Sequence, residues 1–113
     1  MLPKRVELKK KSKALLLSYE NNSEYELSFE FLRVHSPSAE VKGHGNPILQ
    51  TGKKDVAIVG VEQSGNYALK LIFDDGHDTG LYTWDYLRQL CLEHEELWRD
   101  YLRKLDSAGA SRT

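Results

Sequence analysis

The segment 73–87 carries the densest group of chemically capable side chains in the sequence. His77 lies among three carboxylates, Asp74, Asp75 and Asp78, and nearby carboxylates favour the protonated form of an imidazole. Such a group can bind a metal ion or take part in acid–base chemistry. It can equally form an ordinary turn, in which the aspartates hydrogen-bond their own backbone and the imidazole packs on an aromatic ring.

Two further histidines, His35 and His44, lie in a segment rich in glycine and proline that runs from residue 35 to residue 54. If this segment folds over the turn, they could approach His77, and two or three imidazoles with a carboxylate would suit zinc, iron or nickel. No two of these histidines have a recognised ligand spacing. We therefore keep a metal site as an alternative, with His77 as the first candidate ligand and His35 and His44 as weaker ones. A hydrogen-bonded histidine away from solvent is the simpler interpretation for each.

Other reactive groups give weaker indications. The glycine-rich stretch 42–46 lacks the P-loop pattern and does not open a helix, so phosphate binding is not expected. Ser36 and Ser38 lie near His35 but lack the Gly-x-Ser-x-Gly setting of a hydrolase nucleophile. Cys91 is predicted on the buried face of a helix, where a thiol behaves as a small apolar group.

Length and composition indicate one globular domain. The 113 residues allow a single core, and 40% apolar with 29% charged residues are ordinary values. A net charge of -1 provides no overall field for nucleic acid or for an anionic membrane. The single cysteine excludes an internal disulfide, and the sequence has neither a signal peptide nor a long apolar run. These features predict a cytoplasmic protein.

The first half of the chain predicts β-strands followed by a long loop. Residues 5–9 alternate between charged and apolar, and residues 14–19 form a short apolar run, which predicts two strands joined by a lysine-rich turn. The charged first strand is expected at a solvated sheet edge. Alternation at 25–27 predicts a third strand, whereas residues 28–34 fit a strand and a helical turn equally well. Residues 35–54 are predicted to be irregular.

The next segments predict a hairpin. Residues 56–61 and 67–73 are the strongest apolar runs, and they are joined across the turn residues 64–66. Because both runs are apolar at nearly every position, both faces of these strands are expected to contact protein. Residues 80–82 predict a brief returning strand.

Two helical patterns complete the chain. Thr83 is a good N-cap, Asp85 lies in the favoured first turn, and the first helix is predicted to reach about Leu92. The second pattern either continues this helix or follows a bend. Its apolar stripe consists of Leu97, Trp98, Tyr101, Leu102 and Leu105. We therefore predict one domain over residues 1–105 with a frayed tail at 106–113, and an α+β fold of small antiparallel β-sheets, a long irregular loop and one or two C-terminal α-helices.

Two motifs in the chain resemble a known family. The first runs from Phe31 to Val41 and is followed by Gly43-His44-Gly45, and the second is the whole segment 73–87. On these residues the chain is similar, over roughly residues 4–92, to bacterial stand-alone members of the gamma-butyrobetaine hydroxylase-like N-terminal domain family.

The resemblance has consequences for metal binding. In eukaryotic gamma-butyrobetaine and trimethyllysine hydroxylases the similar domain precedes an iron- and 2-oxoglutarate-dependent oxygenase domain and holds zinc through three cysteines and a histidine. The matching cysteine positions here are Ser36, Ser38 and Val41, with His77 at the histidine. Hydroxyl groups and a valine cannot replace thiolates, so we expect no zinc. A structural zinc site contributes on the order of 10 kcal/mol to folding in small peptides, so packing must stabilise this core instead. The chain ends soon after the helices, so hydroxylation is not expected either.

The resemblance also suggests a role. Similar domains are joined, in some bacterial proteins, to P-loop ATPases that carry iron–sulfur clusters, which implies an accessory function near cluster assembly. The leading hypothesis is a non-catalytic module that docks onto a partner protein, linked to iron–sulfur cluster assembly or to an oxygenase. It needs no nucleic acid or membrane and is a monomer or a weak homodimer. The alternative is a metal-binding protein or metal-dependent enzyme that uses His77 with His35 or His44. The expected binding surface consists of Arg33, His35, Ser36, Ser38, Glu40, His44, Asp74, Asp75, His77, Asp78, Tyr82 and Trp84.

Overall fold

Two three-stranded antiparallel sheets and a set of helices make up the structure, a computed structural model that describes residues 2–42 and 47–113. The first sheet has the order β1 (Arg5–Lys9), β2 (Ala14–Ser18) and β3 (Glu24–Ser28), and it is followed by α1 (Phe29–Val34) and α2 (Ala39–Lys42). The second sheet has the order β4 (Ile58–Ser64), β5 (Ala68–Phe73) and β6 (Leu81–Thr83), and it is followed by α3 (Trp84–Leu92) and α4 (His94–Ser107). The predicted α+β class is confirmed.

The first sheet places its most apolar strand in the centre. β2 is buried along its whole length, and β1 lies at the edge with exposed or half-buried side chains. Lys9 reaches across the sheet to Glu26, with 2.8 Å between the Nζ and Oε1 atoms. The predicted solvated edge strand is therefore observed.

A serine decides the structure of the ambiguous segment 28–34. The Ser28 side chain accepts a hydrogen bond from the Phe31 N–H at 3.0 Å, which makes Ser28 the N-cap of α1. The helix buries Phe29, Phe31 and Leu32 almost completely. Local capping therefore selects the helix, a choice that hydrophobic periodicity left open.

The second sheet differs from the sequence prediction at its edge. β4 and β5 form the predicted hairpin, and β5 is largely buried in the middle of the sheet. β4 lies at the sheet edge, where a register irregularity falls between Ile58 and Gly60 and Val59 is 58% exposed. The expectation that both faces of both strands contact protein is thus wrong for β4, because Val59, Glu62 and Gln63 are exposed to solvent.

The two helical patterns form separate helices. The Thr83 side chain accepts a hydrogen bond from the Tyr86 N–H at 3.1 Å, as predicted for the N-cap of α3. Cys91 is buried on the inner face. The chain leaves the helical conformation at Glu93 and α4 starts at His94, so a bend separates α3 from α4. No helix in the described ranges is both long and apolar enough to cross a bilayer.

The end of the chain differs from the prediction of a frayed tail. α4 continues through Ser107, and residues 110–112, the C-terminal strap, then pack against the protein. The N–H groups of Gly52 and Lys54 donate to the carbonyl oxygens of Ser111 and Arg112, each at 3.0 Å. The Arg112 guanidinium donates two hydrogen bonds, at 2.7 and 2.9 Å, to the buried Glu30 carboxylate. A contact between residues 82 positions apart leaves no periodic signal in the sequence.

Candidate functional site

The turn that follows β5 directs the His77 side chain into the protein. The Phe73 N–H donates to the His77 carbonyl oxygen at 3.0 Å, and the Gly76 N–H donates to that of Phe73 at 3.2 Å. Gly76 has a φ of +88°, a conformation that glycine adopts without strain. The Asp75 carboxylate accepts a hydrogen bond from the His77 N–H at 3.2 Å. The imidazole is thereby placed against the segment that contains α2.

Both ring nitrogens of His77 have partners on that segment. The Nε2 atom lies 2.8 Å from the Ser36 hydroxyl oxygen, and the Nδ1 atom lies 3.2 Å from a Glu40 carboxylate oxygen. A carboxylate can only accept, so Nδ1 carries the proton, and the neutral ring accepts a hydrogen bond from Ser36 through Nε2. The Ser36 oxygen in turn accepts a hydrogen bond from the Ser38 N–H at 3.2 Å.

The order of serine, histidine and carboxylate is that of a catalytic triad, but the site cannot act as one. Ser36 is 1% exposed, so a substrate carbonyl has no access to its hydroxyl oxygen. Gly80 closes the other side, because a Cβ atom on it would lie only 2.5 Å from that oxygen. The cluster therefore joins two loops of the fold and does not present a nucleophile.

The positions equated with zinc ligands by resemblance do lie together, but their side chains do not fit zinc. Ser36 and His77 bond each other, and the Ser38 hydroxyl lies 2.6 Å from the Thr79 hydroxyl. Val41 is buried and has no donor atom. Within residues 2–42 and 47–113 no group of three or more histidine, cysteine, aspartate or glutamate residues is arranged to hold a metal ion.

We expect zinc to leave the stability of the protein unchanged, because both nitrogens of His77 are used and thiolates are missing. Thermal unfolding with excess zinc or with EDTA should give the same midpoint, and native mass spectrometry should show no zinc adduct. The triple variant S36C/S38C/V41C is the positive control, since it supplies thiolates at the three matching positions. A stoichiometric adduct of the wild-type chain that EDTA removes would contradict the prediction.

Asp75 is the anchor of a second polar group beside His77. One carboxylate oxygen accepts hydrogen bonds from Arg33 Nε at 2.8 Å and from Lys53 Nζ at 2.6 Å. Burial alone would raise the pKa of Asp75, but the hydrogen bonds from Lys53, the His77 N–H and Arg33 lower it to about 2. Arg33 is itself buried, so the ion pair ties α1 to the turn after β5.

The protonation state of His77 differs from the sequence expectation. Burial lowers the pKa of His77, the nearby Arg33 guanidinium lowers it further, and Glu40 and Asp75 only oppose the shift. The imidazole is therefore neutral at pH 7. Sequence proximity to aspartates suggested the opposite, because the sequence did not reveal the burial or the arginine.

Acidification should destabilise the protein through His77. The folded-state pKa lies below the ordinary value of 6.5, so the unfolded chain binds the proton more readily and stability is lost as pH falls below 6.5. His35, whose pKa is also lowered by burial, acts in the same direction. Each group contributes a slope of at most about 1.4 kcal/mol per pH unit.

Urea unfolding at a series of pH values between 7.5 and 5.5 measures this slope. In the variant His77→Gln the free energy of unfolding should depend less steeply on pH. The remaining slope is the contribution of His35. Stability that is constant, or that rises on acidification, would contradict the assignment of neutral buried histidines.

His35 belongs to a different environment from that of His77. Its Nδ1 atom lies 2.8 Å from the Phe31 carbonyl oxygen, and its ring contacts the rings of Phe31 and Tyr101 at centroid distances of 4.4 and 6.2 Å. Its ring thus contacts α4, and none of its hydrogen bonds within the described ranges goes to the His77 cluster. His44, the other weak candidate ligand, lies outside the described residues.

The predicted binding surface divides into exposed and buried parts. The exposed residues are Glu40, Asp74, Asp75 and Asp78, although the side chain of Asp75 is only 21% exposed. His35 and Trp84 are half-buried. The Trp84 indole N–H donates to the Asn66 carbonyl oxygen at 2.9 Å. The buried residues are Arg33, Ser36, Ser38, His77 and Tyr82, the last of which donates its hydroxyl to the Leu32 carbonyl oxygen. These buried side chains cannot contact a partner directly, because hydrogen bonds and packing use them inside the domain.

A groove that the sequence did not predict lies on the other side of this cluster. It lies between α4 on one side and residues 34–42 and 47–50 on the other, and it has a cavity volume of about 410 Å³. We call it the α4 groove. Its apolar walls are formed by Val34, Val41, Ile48, Leu49 and Leu97, and its polar lining includes His35, Lys42, Asp100, Tyr101 and Lys104. The predicted stripe of α4 contains Leu97 and Tyr101, but no sequence pattern indicates the wall that faces them.

The comparison with known families decides the identity of the domain. Residues 6–88 match the model of the family described as gamma-butyrobetaine hydroxylase-like, N-terminal. The chain belongs to this family. The resemblance carried by the two motifs is confirmed, and the match ends inside α3, so α4 lies beyond it.

Solved structures share the fold of this gamma-butyrobetaine hydroxylase-like N-terminal domain. Two solution NMR structures are 60% and 52% identical, with TM-scores of 0.88 and 0.83; each comparison covers 98% of this chain, and 89% and 84% of the respective chains. A third match is the crystal structure of a protein with unknown function in the DUF971 family from Acidithiobacillus ferrooxidans. It is 36% identical to this chain, with a TM-score of 0.67. The comparison covers 78% of this chain and 90% of the Acidithiobacillus chain. No curated protein matches the chain.

Proposed function

We propose that this domain is a non-catalytic module that docks onto a partner protein through the α4 groove. The groups that could perform chemistry are engaged inside the domain. The Ser36 hydroxyl bonds the His77 ring, and the Asp75 carboxylate accepts a hydrogen bond from the His77 N–H. The Cys91 thiol is buried, which raises its pKa to about 11. A buried thiol of this kind is a poor nucleophile. These contacts support a binding role over a catalytic one.

The observation that carries the proposal is an open apolar groove with fixed walls. The Tyr86 hydroxyl donates to the His35 carbonyl oxygen at 2.6 Å, and the Tyr101 hydroxyl donates to the Gln50 carbonyl oxygen at 2.8 Å. The two bonds fasten the facing segments, so little order has to be created on binding. At the rim Ile48 is 57% exposed, which suits a contact with an apolar side chain of a partner.

The proposed partners follow from the family. Similar domains look to be joined to P-loop ATPases that carry iron–sulfur clusters or to oxygenases. We propose that the chain acts in the cytoplasm with a protein of iron–sulfur cluster assembly or with an oxygenase. Nucleic acid and membranes have no part in this proposal, and the chain acts as a monomer or a weak dimer.

Photo-crosslinking in cells that express the protein natively tests the docking proposal. Benzoylphenylalanine is placed at Ile48, at the rim of the groove, and in a matched control at Val59, which is equally exposed on β4. We expect a discrete adduct from position 48 and none from position 59. Mass spectrometry of the adduct then identifies the partner.

Two results would overturn the proposal. One is the absence of any discrete adduct from position 48 while the protein is folded and expressed at its natural level. The other is an identical set of adducts from positions 48 and 59, which would indicate unspecific contact. An adduct with a protein unrelated to iron–sulfur assembly or oxygenases would retain docking and reject the proposed partner class.

A further inference from the structure

We infer that the partner segment which occupies the α4 groove is acidic, with an apolar side chain inside the groove and one or more carboxylates at the lysines of its rim. The inference rests on the proposed docking function and adds to it the chemistry of the partner. The occupant is a short segment of a partner protein in which aspartate or glutamate residues flank the apolar anchor.

Positive charge predominates around the groove. Lys42 and Lys104 line it, and among the described lining residues Asp100 is the only carboxylate. Asp100 is already paired, since its carboxylate lies 2.8 Å from Arg103 and 3.1 Å from Lys104. Two lysines and one carboxylate therefore line the groove, in a chain whose net charge is -1. The groove is a locally positive site on a slightly acidic protein.

Lys42 is the cation best placed to meet a partner. Its Nζ atom lies 5.3 Å from the centroid of the Tyr86 ring, so the side chain lies along the groove wall. In the described part of the chain no carboxylate lies within ion-pair distance of it. An incoming carboxylate would thus form a new ion pair without breaking an existing one.

The apolar walls determine the rest of the occupant. Burial of one leucine- or phenylalanine-sized side chain strengthens binding about ten- to hundredfold, whereas one exposed ion pair adds about two- to fivefold. The apolar anchor therefore supplies most of the affinity, and the rim lysines select among partners. His35 is neutral because burial lowers its pKa, so it adds no positive charge to the groove and the rim lysines supply the attraction for an acidic segment.

Selection from a random peptide display library tests the inference on the full chain. The immobilised wild-type protein is the target for selection. The variant Ile48→Ser serves as a counter-selection target, which removes peptides that do not use the groove. This substitution leaves the charge of the groove unchanged. We expect the enriched peptides to share an apolar residue with aspartate or glutamate within a few positions. A synthetic copy of one such peptide should shift the methyl NMR signals of Val41 and Leu97.

Charge reversal provides the quantitative arm of the experiment. The variants Lys42→Glu and Lys104→Glu should each weaken binding of the synthetic peptide about tenfold, because an attraction becomes a repulsion. Lys11→Glu, in the exposed turn between β1 and β2, is the control and should leave binding unchanged. Raising the salt concentration should weaken the wild-type complex and leave the two charge-reversed complexes nearly unaffected.

The outcomes separate the two proposals. Groove-dependent peptides that are neutral or basic, or that bind Lys42→Glu as well as wild type, would overturn the acidic partner and leave the docking function standing. Peptides that bind Ile48→Ser as well as wild type, or no enrichment at all, would overturn both.

Discussion

Replacement of Arg112 with alanine is expected to lower the free energy of unfolding by about 2–3 kcal/mol, although the residue lies next to the end of the chain. The reason is that Glu30 has a side chain only 6% exposed and accepts both of its ion-pair hydrogen bonds from Arg112. Without the guanidinium, a buried carboxylate is left without its counter-ion. This loss lies at or below the lower end of the range for removing one partner of a buried ion pair, because the Arg112 side chain itself is 39% exposed.

Urea unfolding followed by tryptophan fluorescence measures this effect, and Trp98, over whose ring Arg112 lies, reports on the strap directly. Arg103→Ala is the matched control, since that arginine pairs with Asp100 at 2.8 Å on the surface. The control should lose less than about 0.5 kcal/mol, as is usual for exposed pairs. Equal losses for the two variants would show that the strap does not hold Glu30.

Addition of one methyl group at Gly80 is the second change with a large expected effect, a loss of about 1–3 kcal/mol from overpacking. The new Cβ atom of Gly80→Ala would lie 2.5 Å from the Ser36 hydroxyl oxygen and 3.2 Å from the Tyr82 ring. Ser36 cannot move away, because its oxygen bonds the His77 ring and the Ser38 N–H. Either the serine–histidine contact or the turn must give way.

Gly60→Ala is the control for this variant. A Cβ atom at Gly60 would meet the Cδ1 atom of Ile72 at 3.2 Å, and the end of an isoleucine side chain can rotate away. Its stability should therefore stay within about 0.5 kcal/mol of wild type. The His77 imidazole signals in NMR spectra should move in Gly80→Ala and remain in place in Gly60→Ala. A Gly80→Ala protein as stable as wild type would show that Ser36 is not tightly held.

Local chemistry made much of the fold predictable. The sequence predicts the N-cap at Thr83, whereas the residues after Ser28 fit a strand and a helical turn equally well. The hairpin of β4 and β5 followed from two apolar runs around a glycine turn. These features depend on residues within a few positions of one another, which a single sequence records.

The parts that the sequence did not predict depend on distant contacts. His77 and Ser36 are 41 positions apart, and the burial that makes the imidazole neutral comes from their meeting. The strap is held by an ion pair across 82 positions. The α4 groove exists because α4 packs near the segment after α1, and an amphipathic pattern shows that a helix has an inner face without showing which surface it meets.

The position of α4 beyond the family match has a consequence for the evolution and engineering of specificity. Residues 6–88 build one wall of the groove, and α4 supplies the other through side chains such as Leu97 and Lys104. One wall can therefore change while the architecture formed by residues 6–88 stays intact. A chimera that keeps residues 6–88 and carries the last helix of a relative should fold as this protein does and recognise a different partner.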